Sequence, residues 1–261
     1  MPLKKHYTTA VIISNEPISE RYFCMTVECK ILATDAAPGQ FIMIECGKDA
    51  FLKRPMGISD ANDATGTISF IYQICGTGTR ALAEQKIGRE LKIIGPLGNK
   101  FLVHKNAQSL ALVGGGTGIG PLLFCAKKFY TDYPNIALYG FIGARTKNIL
   151  CGIDEMRGFT KETHITTDDD SYGQKGVATD ALFSFLEKKS VDQIISCGPT
   201  TMMKKTAEIA TQRAIPCHVS LEEYMACGFG ACLGCPCEIK NEGYKMICLD
   251  GPVFDAEKVV W

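Results

Sequence analysis

The sequence predicts a multidomain β plus α/β molecule: an antiparallel β-barrel, a doubly wound parallel sheet, and a small cysteine-rich C-terminal module. Three observations carry this. Short alternating or β-branched runs fill the first hundred residues, separated by turn chemistry. From Ser109 onward, strand–helix alternation gathers around Gly114-Gly-Gly-Thr-Gly-Ile-Gly120. The chain then ends in Cys227-x4-Cys232-x2-Cys235, with Cys248 beyond it.

In the first part the runs are Tyr7–Ser14, Tyr22–Val27, Gln40–Glu45, Thr67–Cys75 and Glu90–Ile94. Pro38-Gly39, Asn62-Asp63 and Thr65-Gly66 supply the turns. Five or more such strands without a long helix predict a small antiparallel barrel, interrupted by one short helix near Thr79–Lys86. Two patches here carry chemistry. Arg54-Pro55-Met56-Gly57-Ile58-Ser59 sets a guanidinium beside a rigid proline, which suits a pyrophosphate because Arg meets phosphate through a planar fork. Gly76-Thr77-Gly78-Thr79 precedes the short helix, whose first amides suit another phosphate oxygen. A surface ion pair at Arg54 and an ordinary capped turn at Thr79 are the alternative readings.

In the middle part Leu110-Ala-Leu-Val113 is a fully apolar strand of the kind buried in a parallel sheet. Gly114, Gly115, Gly116, Thr117 and Gly118 follow it and open a helix through Tyr130, where the backbone can approach a pyrophosphate. Strands at Ile136–Ile142, Thr163–Thr167 and Gln193–Cys197, with helices at Thr179–Lys188 and Thr200–Thr211, complete the sheet. Cys197, in Cys-Gly-Pro at a strand's carboxyl end, faces the expected cleft unless it is a buried structural thiol. The dinucleotide rule expects a carboxylate about twenty residues after the glycines. The second strand ends instead in Gly143-Ala144-Arg145-Thr146, which leaves NAD and NADP both open. Asp168-Asp169-Asp170 reads as a solvated loop.

The tail spacing C-x4-C-x2-C with a later cysteine matches the ligands of a plant-type 2Fe-2S cluster, Cys227, Cys232, Cys235 and Cys248. Gly228, Gly230 and Gly234 let a tight loop aim its amides at the sulfurs. A zinc site is the alternative, although zinc ribbons usually use two C-x2-C pairs. Glu238–Tyr244 reads as a hairpin that returns Cys248 to the cluster on its second strand, while Cys237 need not face it.

Composition bounds the rest. The 261 residues suffice for two domains and an appendage, and 46% hydrophobic with 21% charged residues is globular. Lys+Arg and Asp+Glu are both 28, so no net field favours nucleic acid or an anionic membrane. Thirteen cysteines predict a cytoplasmic protein, since such a set is hazardous where disulfides form. The start, Met-Pro-Leu-Lys-Lys-His, lacks a signal-type core, and the longest uncharged run, 109–126, holds five glycines and a proline. The four histidines are dispersed and no nucleophile–base triad stands out. The chain is equipped to bind redox cofactors and not for acid–base chemistry on a metabolite.

Barrel with Arg-Pro-x-x-x-Ser, glycine-rich loop, then Cys-Gly-Pro, in that order over residues 5–215, resembles the ferredoxin–NADP reductase superfamily. The resemblance implies FAD on the barrel, with Arg54, Pro55, Met56, Gly57 and Ser59 near its pyrophosphate and Ile71, Tyr72 and Gln73 along its ring. Gly78 and Thr79 would cap a phosphate, and Gly114–Gly118 with Cys197 as catalytic contact would hold the nicotinamide nucleotide. Met56 stands where that family commonly has a serine. The tail, Glu222-Glu-Tyr-Met-Ala-Cys through Cys248-Leu-Asp-Gly-Pro, is similar to the electron-transfer subunits of NAD-dependent class 1B dihydroorotate dehydrogenases. That likeness implies FAD, NAD and a 2Fe-2S cluster, and an FMN-containing catalytic partner subunit, two of each, acting in pyrimidine biosynthesis. It divides the chain into an FAD-binding barrel (1–103), an NAD-binding domain (104–215) and a cluster module (216–261). An NAD(P)H–ferredoxin or hydrogenase diaphorase subunit shares every motif, and a zinc-stapled or redox-sensing binding protein is the non-enzyme alternative.

Overall fold

The computed structural model describes residues 5–47 and 50–261. Met1–Lys4, part of the start on which the lack of a signal core was read, lies outside the described residues. Six strands close an antiparallel barrel: β1 (His6–Pro17), β2 (Tyr22–Glu28), β3 (Phe41–Ile44), β4 (Arg54–Asn62), β5 (Thr67–Gln73) and β6 (Glu90–Leu97). Their order around it is β1-β2-β5-β4-β3-β6. Alternation turns Ile12, Met25, Val27, Ile42, Ile58, Ile68, Phe70 and Ile93 into one interior.

The structure adds β4 to the five expected strands. Its Arg-Pro start and its Asp and Asn residues hide the alternation, because Met56 and Ile58 turn inward and a register shift then delays the next inward residue to Ala61. Two short helices complete this part: α1 (Lys30–Asp35), not expected from sequence, and α2 (Thr77–Ala83), which starts earlier and stops short of Lys86. Six residues with two buried side chains, Leu32 and Ala33, leave too little periodicity in α1 to read.

The second sheet runs through β7 (Ser109–Gly115), β8 (Ala137–Ala144), β9 (Glu162–Thr167), β10 (Gln174–Lys175), β11 (Gln193–Cys197) and β12 (Cys217–Ser220). Helices α3 (Ile119–Asp132), α4 (Ile153–Phe159), α5 (Ala178–Leu186) and α6 (Thr200–Gln212) connect them. Leu110 and Leu112 face α3 with Ile119 and Leu122, while Ala111 and Val113 face α5 and α6 with Leu182 and Met203. A strand buried on both faces must be apolar, and the buried part of β7, from Leu110 onward, is. The order β9-β8-β7-β11-β12 reverses direction between β7 and β11, which is where such sheets bind ligands beyond the carboxyl ends.

The tail is stitched into this sheet. After β12 the chain makes the cysteine loop, the hairpin β13 (Pro236–Ile239) and β14 (Gly243–Met246), and a single turn, α7 (Ile247–Asp250). It then returns as β15 (Val253–Asp255), antiparallel to β12, so residues of the 216–261 stretch form the sheet's last two strands. Asn99, just past the barrel, fixes the return: its amide donates to the Asp250 and Val253 carbonyls at 3.0 and 2.8 Å and accepts the Val253 N–H at 2.9 Å. Trp261 packs on the outer face of the sheet and donates to the Ala256 carbonyl at 3.2 Å. Among the described residues no helix is long and apolar enough to cross a membrane.

Candidate functional site

Helix α3 presses the sheet against the barrel. Pro121 lies 2.7 Å from where a Cβ on Gly57 would stand, and the Lys127 ammonium reaches the Asp60 carboxylate at 2.8 Å. Beside this contact opens one cleft of about 790 Å³, lined by both parts and by the loop after β12. That volume suits a cofactor site.

On the barrel side β4 contributes Arg54, Pro55, Met56 and Gly57, β5 contributes Ile71, Tyr72 and Gln73, and Thr79 closes the end. The Arg54 guanidinium lies over Gly78, its Nε 3.0 Å from a Cβ position there, so Gly78 sits beneath it and not in the cleft. Thr79 turns its hydroxyl inward, accepting the Cys75 and Gly76 N–H groups at 2.9 and 3.2 Å. It caps the turn, and the free N–H donors of Arg54 are left for an anion. Tyr72 donates to Asn15 at 2.7 Å, and burial pushes its phenol up, so it stays neutral. Ser59 does not line the cleft. It follows Pro55 and Gly57 on the outward face of β4 but lies deeper along α3, facing Gly120.

On the sheet side Gly115, Gly116, Thr117 and Gly118 line the cleft. A Cβ on Gly118 would stand 2.3 Å from the Cys197 carbonyl oxygen, so only glycine lets the loop close on β11. Gly114 lies below, packed on Leu122, and serves the core. Cys197 lines the cleft but is only 7% exposed. Burial pushes its thiol to about 12 against a hydrogen bond with Ser220. It therefore stays protonated at neutral pH and offers a small neutral contact, not a nucleophile.

Sequence reasoning passed over Tyr22, Asp168, Glu222, Glu223 and Met225, which also line the cleft. Tyr22 looked like any strand residue, and Asp168 like loop. Desolvation and the neighbouring Glu223 raise the Glu222 carboxyl above its ordinary range.

The four tail cysteines come together as two pairs. Cys227 stands within thiol hydrogen-bond reach of Cys232, and Cys235 of Cys248. Amides surround them: Phe229 and Cys232 N–H point at the Cys227 sulfur at 3.5 and 3.4 Å, and Gly230 N–H at Cys248 at 3.1 Å. Burial opposes ionisation of Cys227, yet these amides and the Cys232 thiol bring it down to about 6. Among the described residues no three His, Cys, Asp or Glu donors converge as they would on a single metal ion.

Cys248 does not arrive on the second hairpin strand, as the sequence led us to expect. Strand β14 ends at Met246, and Cys248 sits in α7, whose Asp250 carboxylate accepts the Met246 N–H at 2.7 Å and forms the turn. Cys237 pairs with Lys245 across the hairpin, and burial raises its thiol to about 11. None of the thirteen cysteines is in a disulfide.

The loop leans on the barrel. Phe41, Met43, Leu97, Cys235, Ile247 and Cys248 form one buried cluster. Gly228 has φ +80° and no room for a side chain, its Cβ position lying 2.4 Å from Met43. Met43 in turn pairs with Pro55 across the β3–β4 ladder. The cysteine loop is thus one strand from the Arg54 patch. Its other side is open: Cys232 is exposed, as are Phe229 and Leu233 of the same loop and Leu249, which packs against Gly230.

The chain is similar to known proteins. A family model described as the iron-sulfur cluster binding domain of dihydroorotate dehydrogenase B matches residues 222–260, and one described as an oxidoreductase NAD-binding domain matches 112–208. The dihydroorotate dehydrogenase B (NAD(+)) electron transfer subunit of Caldanaerobacter subterraneus subsp. tengcongensis is 39% identical over 97% of this chain and 98% of its own. That of Clostridium acetobutylicum is 33% identical over 99% of each. Among solved structures, an NADH-dependent reduced ferredoxin–NADP oxidoreductase superposes with a TM-score of 0.88 at 31% identity, covering 97% of this chain and 90% of that one. The ferredoxin reductase of carbazole 1,9a-dioxygenase shares the fold, with a TM-score of 0.73 at 18% identity over 84% of this chain and 70% of its own.

Proposed function

The chain belongs to the electron transfer subunits of NAD(+)-dependent dihydroorotate dehydrogenase B, and from that premise we propose how its residues divide the work. As such a subunit it is part of an oxidoreductase of pyrimidine biosynthesis, and it implies a dihydroorotate dehydrogenase catalytic partner. We assign that partner the FMN, a complex of two of each subunit, and a cytoplasmic location. Within the chain, residues 1–103 take FAD, 104–215 take NAD, and 216–261 hold a 2Fe-2S cluster.

One observation carries the assignment. A single cleft is lined by Arg54, Ile71–Gln73, Cys197 and Gly115–Gly118, and also by Met225, two residues before Cys227. The residues fit the groups. Arg54 offers a fork to the flavin pyrophosphate, and the apolar walls at Pro55 and Ile71 suit a flat ring. The protonated Cys197 thiol gives the nicotinamide a neutral neighbour, with the dinucleotide's phosphates at the amides of Gly115–Gly118 and the start of α3. Four thiols in two pairs, wrapped in amides, suit two irons sharing a cluster. Bound here, FAD would join the one-electron chemistry of the cluster to the two-electron hydride chemistry of NAD. No acid–base apparatus for dihydroorotate is needed on this chain.

The exposed apolar rim of Phe229, Leu233 and Leu249 around Cys232 suits the catalytic partner, since a cluster that passes electrons to another subunit must lie near the contact. Two results test the reading. The isolated, cofactor-loaded subunit should oxidise NADH with an artificial acceptor yet leave dihydroorotate untouched until the partner is added; turnover of dihydroorotate by this chain alone would refute the division. Leu233→Asp with Leu249→Asp should weaken partner binding at least about tenfold in a titration, as loss of a buried apolar anchor does. NADH oxidation by the isolated double variant should stay unchanged.

A further inference from the structure

A tyrosine joins an apolar ring to one polar atom, and when the ring is buried the hydroxyl ordinarily finds a hydrogen-bond partner. Tyr72 follows the rule, donating to Asn15. Tyr22, the first residue of β2, does not. It is only 6% exposed, yet among the described residues its hydroxyl has no hydrogen-bond partner. Nor is that hydroxyl sealed in, as those of Ser19 and Ser196 are: Tyr22 lines the cleft.

The residue is held firmly in place. Its carbonyl accepts the Ile18 and Ser19 N–H groups at 2.8 and 3.3 Å, and its backbone pairs with Gln73 of β5. The turn before it rests on the nucleotide part of the chain, where the Glu20 N–H donates to the Asn148 carbonyl at 3.1 Å. The ring packs in one buried cluster with Ile71 of the barrel and with Ile119 and Cys151 beyond it. A barrel residue thus carries its hydroxyl across to the sheet's wall. There the hydroxyl lies 3.6 Å from a Cβ position on Gly116, whose φ is +59°. Apart from the chain neighbours of Gly116, nothing else comes within 4 Å of that position. The missing side chain leaves a gap between the glycine loop and the phenol.

The groups around this gap share one character. The turn Gly116–Gly118 leads straight into the fourteen-residue helix α3, and its first N–H groups have no upstream helical carbonyl to meet. Burial and the Cys151 thiol push the Tyr22 phenol up, against the charges of Arg21 and Arg145, so it stays protonated and can donate. Those two guanidinium charges make the local field positive, and Arg145 itself lines the cleft. A site with donors on both sides and positive charge nearby calls for an acceptor with several oxygens and a negative charge. A phosphate meets that description, and a neutral ribose hydroxyl does not.

We propose that Tyr22 is a substrate-binding residue supplied by the barrel: its hydroxyl donates to a phosphate oxygen of the nicotinamide dinucleotide, which is gripped between the barrel and the glycine loop. This rests on the reading that the dinucleotide's phosphates lie at Gly115–Gly118. Its consequence is that the nucleotide ties the two parts of the molecule together when it binds. Tyr22→Phe removes the hydroxyl alone and keeps the ring in its cluster, so the fold and the flavin content should both persist.

The test uses the flavin-loaded subunit, with calorimetric titration of ADP-ribose and kcat/KM for two reductants, NADH and dihydronicotinamide riboside, which has no phosphate. Tyr22→Phe should weaken ADP-ribose about tenfold, as loss of a hydrogen bond to a charged group does. The kcat/KM for NADH should fall by a similar factor, with the loss in KM, while that for the riboside stays unchanged. Gly116→Ala, which fills the gap in front of the phenol, should weaken ADP-ribose as well. An equal loss for both reductants in Tyr22→Phe would put the hydroxyl at the nicotinamide end and overturn the proposal. Unchanged ADP-ribose binding in Tyr22→Phe, with Gly116→Ala still weakening it, would remove Tyr22 as a ligand and leave the phosphates at the loop. If neither variant alters ADP-ribose binding, the placement of the phosphates is itself wrong and the proposal goes with it.

Discussion

Cys248→Ser should bleach or shift the visible absorption of the cluster and the EPR signal of its reduced state, whereas Cys237→Ser should leave both intact. The two thiols are nearly equivalent in sequence terms, since each follows the C-x4-C-x2-C loop within thirteen residues. Geometry separates them. The Cys248 sulfur lies within thiol reach of Cys235 and accepts the Gly230 N–H of the loop at 3.1 Å. Cys237 lies on the hairpin across from Lys245, half-buried and packed against the apolar clusters beside it. Serine at 237 removes a sulfur from an apolar contact and should cost stability only modestly. Serine at 248 leaves an iron with a poorer oxygen ligand or none. Loss of the signals in Cys237→Ser with their retention in Cys248→Ser would show that the loop closes on the hairpin. A chain without visible absorption in any variant, yet holding zinc, would remove the cluster altogether.

That contrast shows what sequence could carry. Ligand spacing is local, so Cys227, Cys232 and Cys235 are legible from the loop alone, and the glycines between them announce its tightness. The fourth ligand depends on how the chain returns. A hairpin was readable from Glu238–Tyr244, but the turn at Ile247–Asp250 depends on one side-chain hydrogen bond from Met246 to Asp250, which no periodicity records. In the same way the apolar run of β7 and the glycines after it announced a buried strand and a nucleotide loop. Strand β4 was hidden because its outward face meets α3 and the cleft, where Pro55, Gly57 and Ser59 answer to those neighbours and not to a pattern. Gly114, Gly78 and Thr79 were named for phosphate. The first is a packing residue, the second lies under Arg54, and the third caps its own turn. Asp168 reads as loop in sequence because its place on the cleft wall depends on the strand beside it, and adjacency across a parallel sheet is not written in sequence distance.

Arg54→Ala should lose FAD before it loses the fold. The side chain lies outside the barrel interior, and the backbone pairing of residue 54 with Ile44 does not depend on it. Apart from carbonyls of the adjoining Leu52 and Lys53, the guanidinium meets no acceptor among the described residues, although it lines the cleft. A cation so placed is expected to be occupied by a bound anion, and the two pyrophosphate charges suit its fork. Losing one charge-assisted contact of this kind costs about 1.5–3 kcal/mol, a loss of roughly ten- to more than a hundredfold in affinity. The flavin-to-protein ratio after gel filtration should therefore drop while the circular dichroism spectrum persists. Excess FAD should restore occupancy, since the apolar walls remain. Arg54→Lys, which keeps the charge but not the planar fork, should fall between. The position of Arg54 over Gly78 makes the control sharper: removing the guanidinium uncovers the first turn of α2 without touching its Thr79 cap, so α2 should stay folded. Flavin occupancy unchanged in Arg54→Ala would place the pyrophosphate elsewhere in the cleft and leave this guanidinium without a ligand.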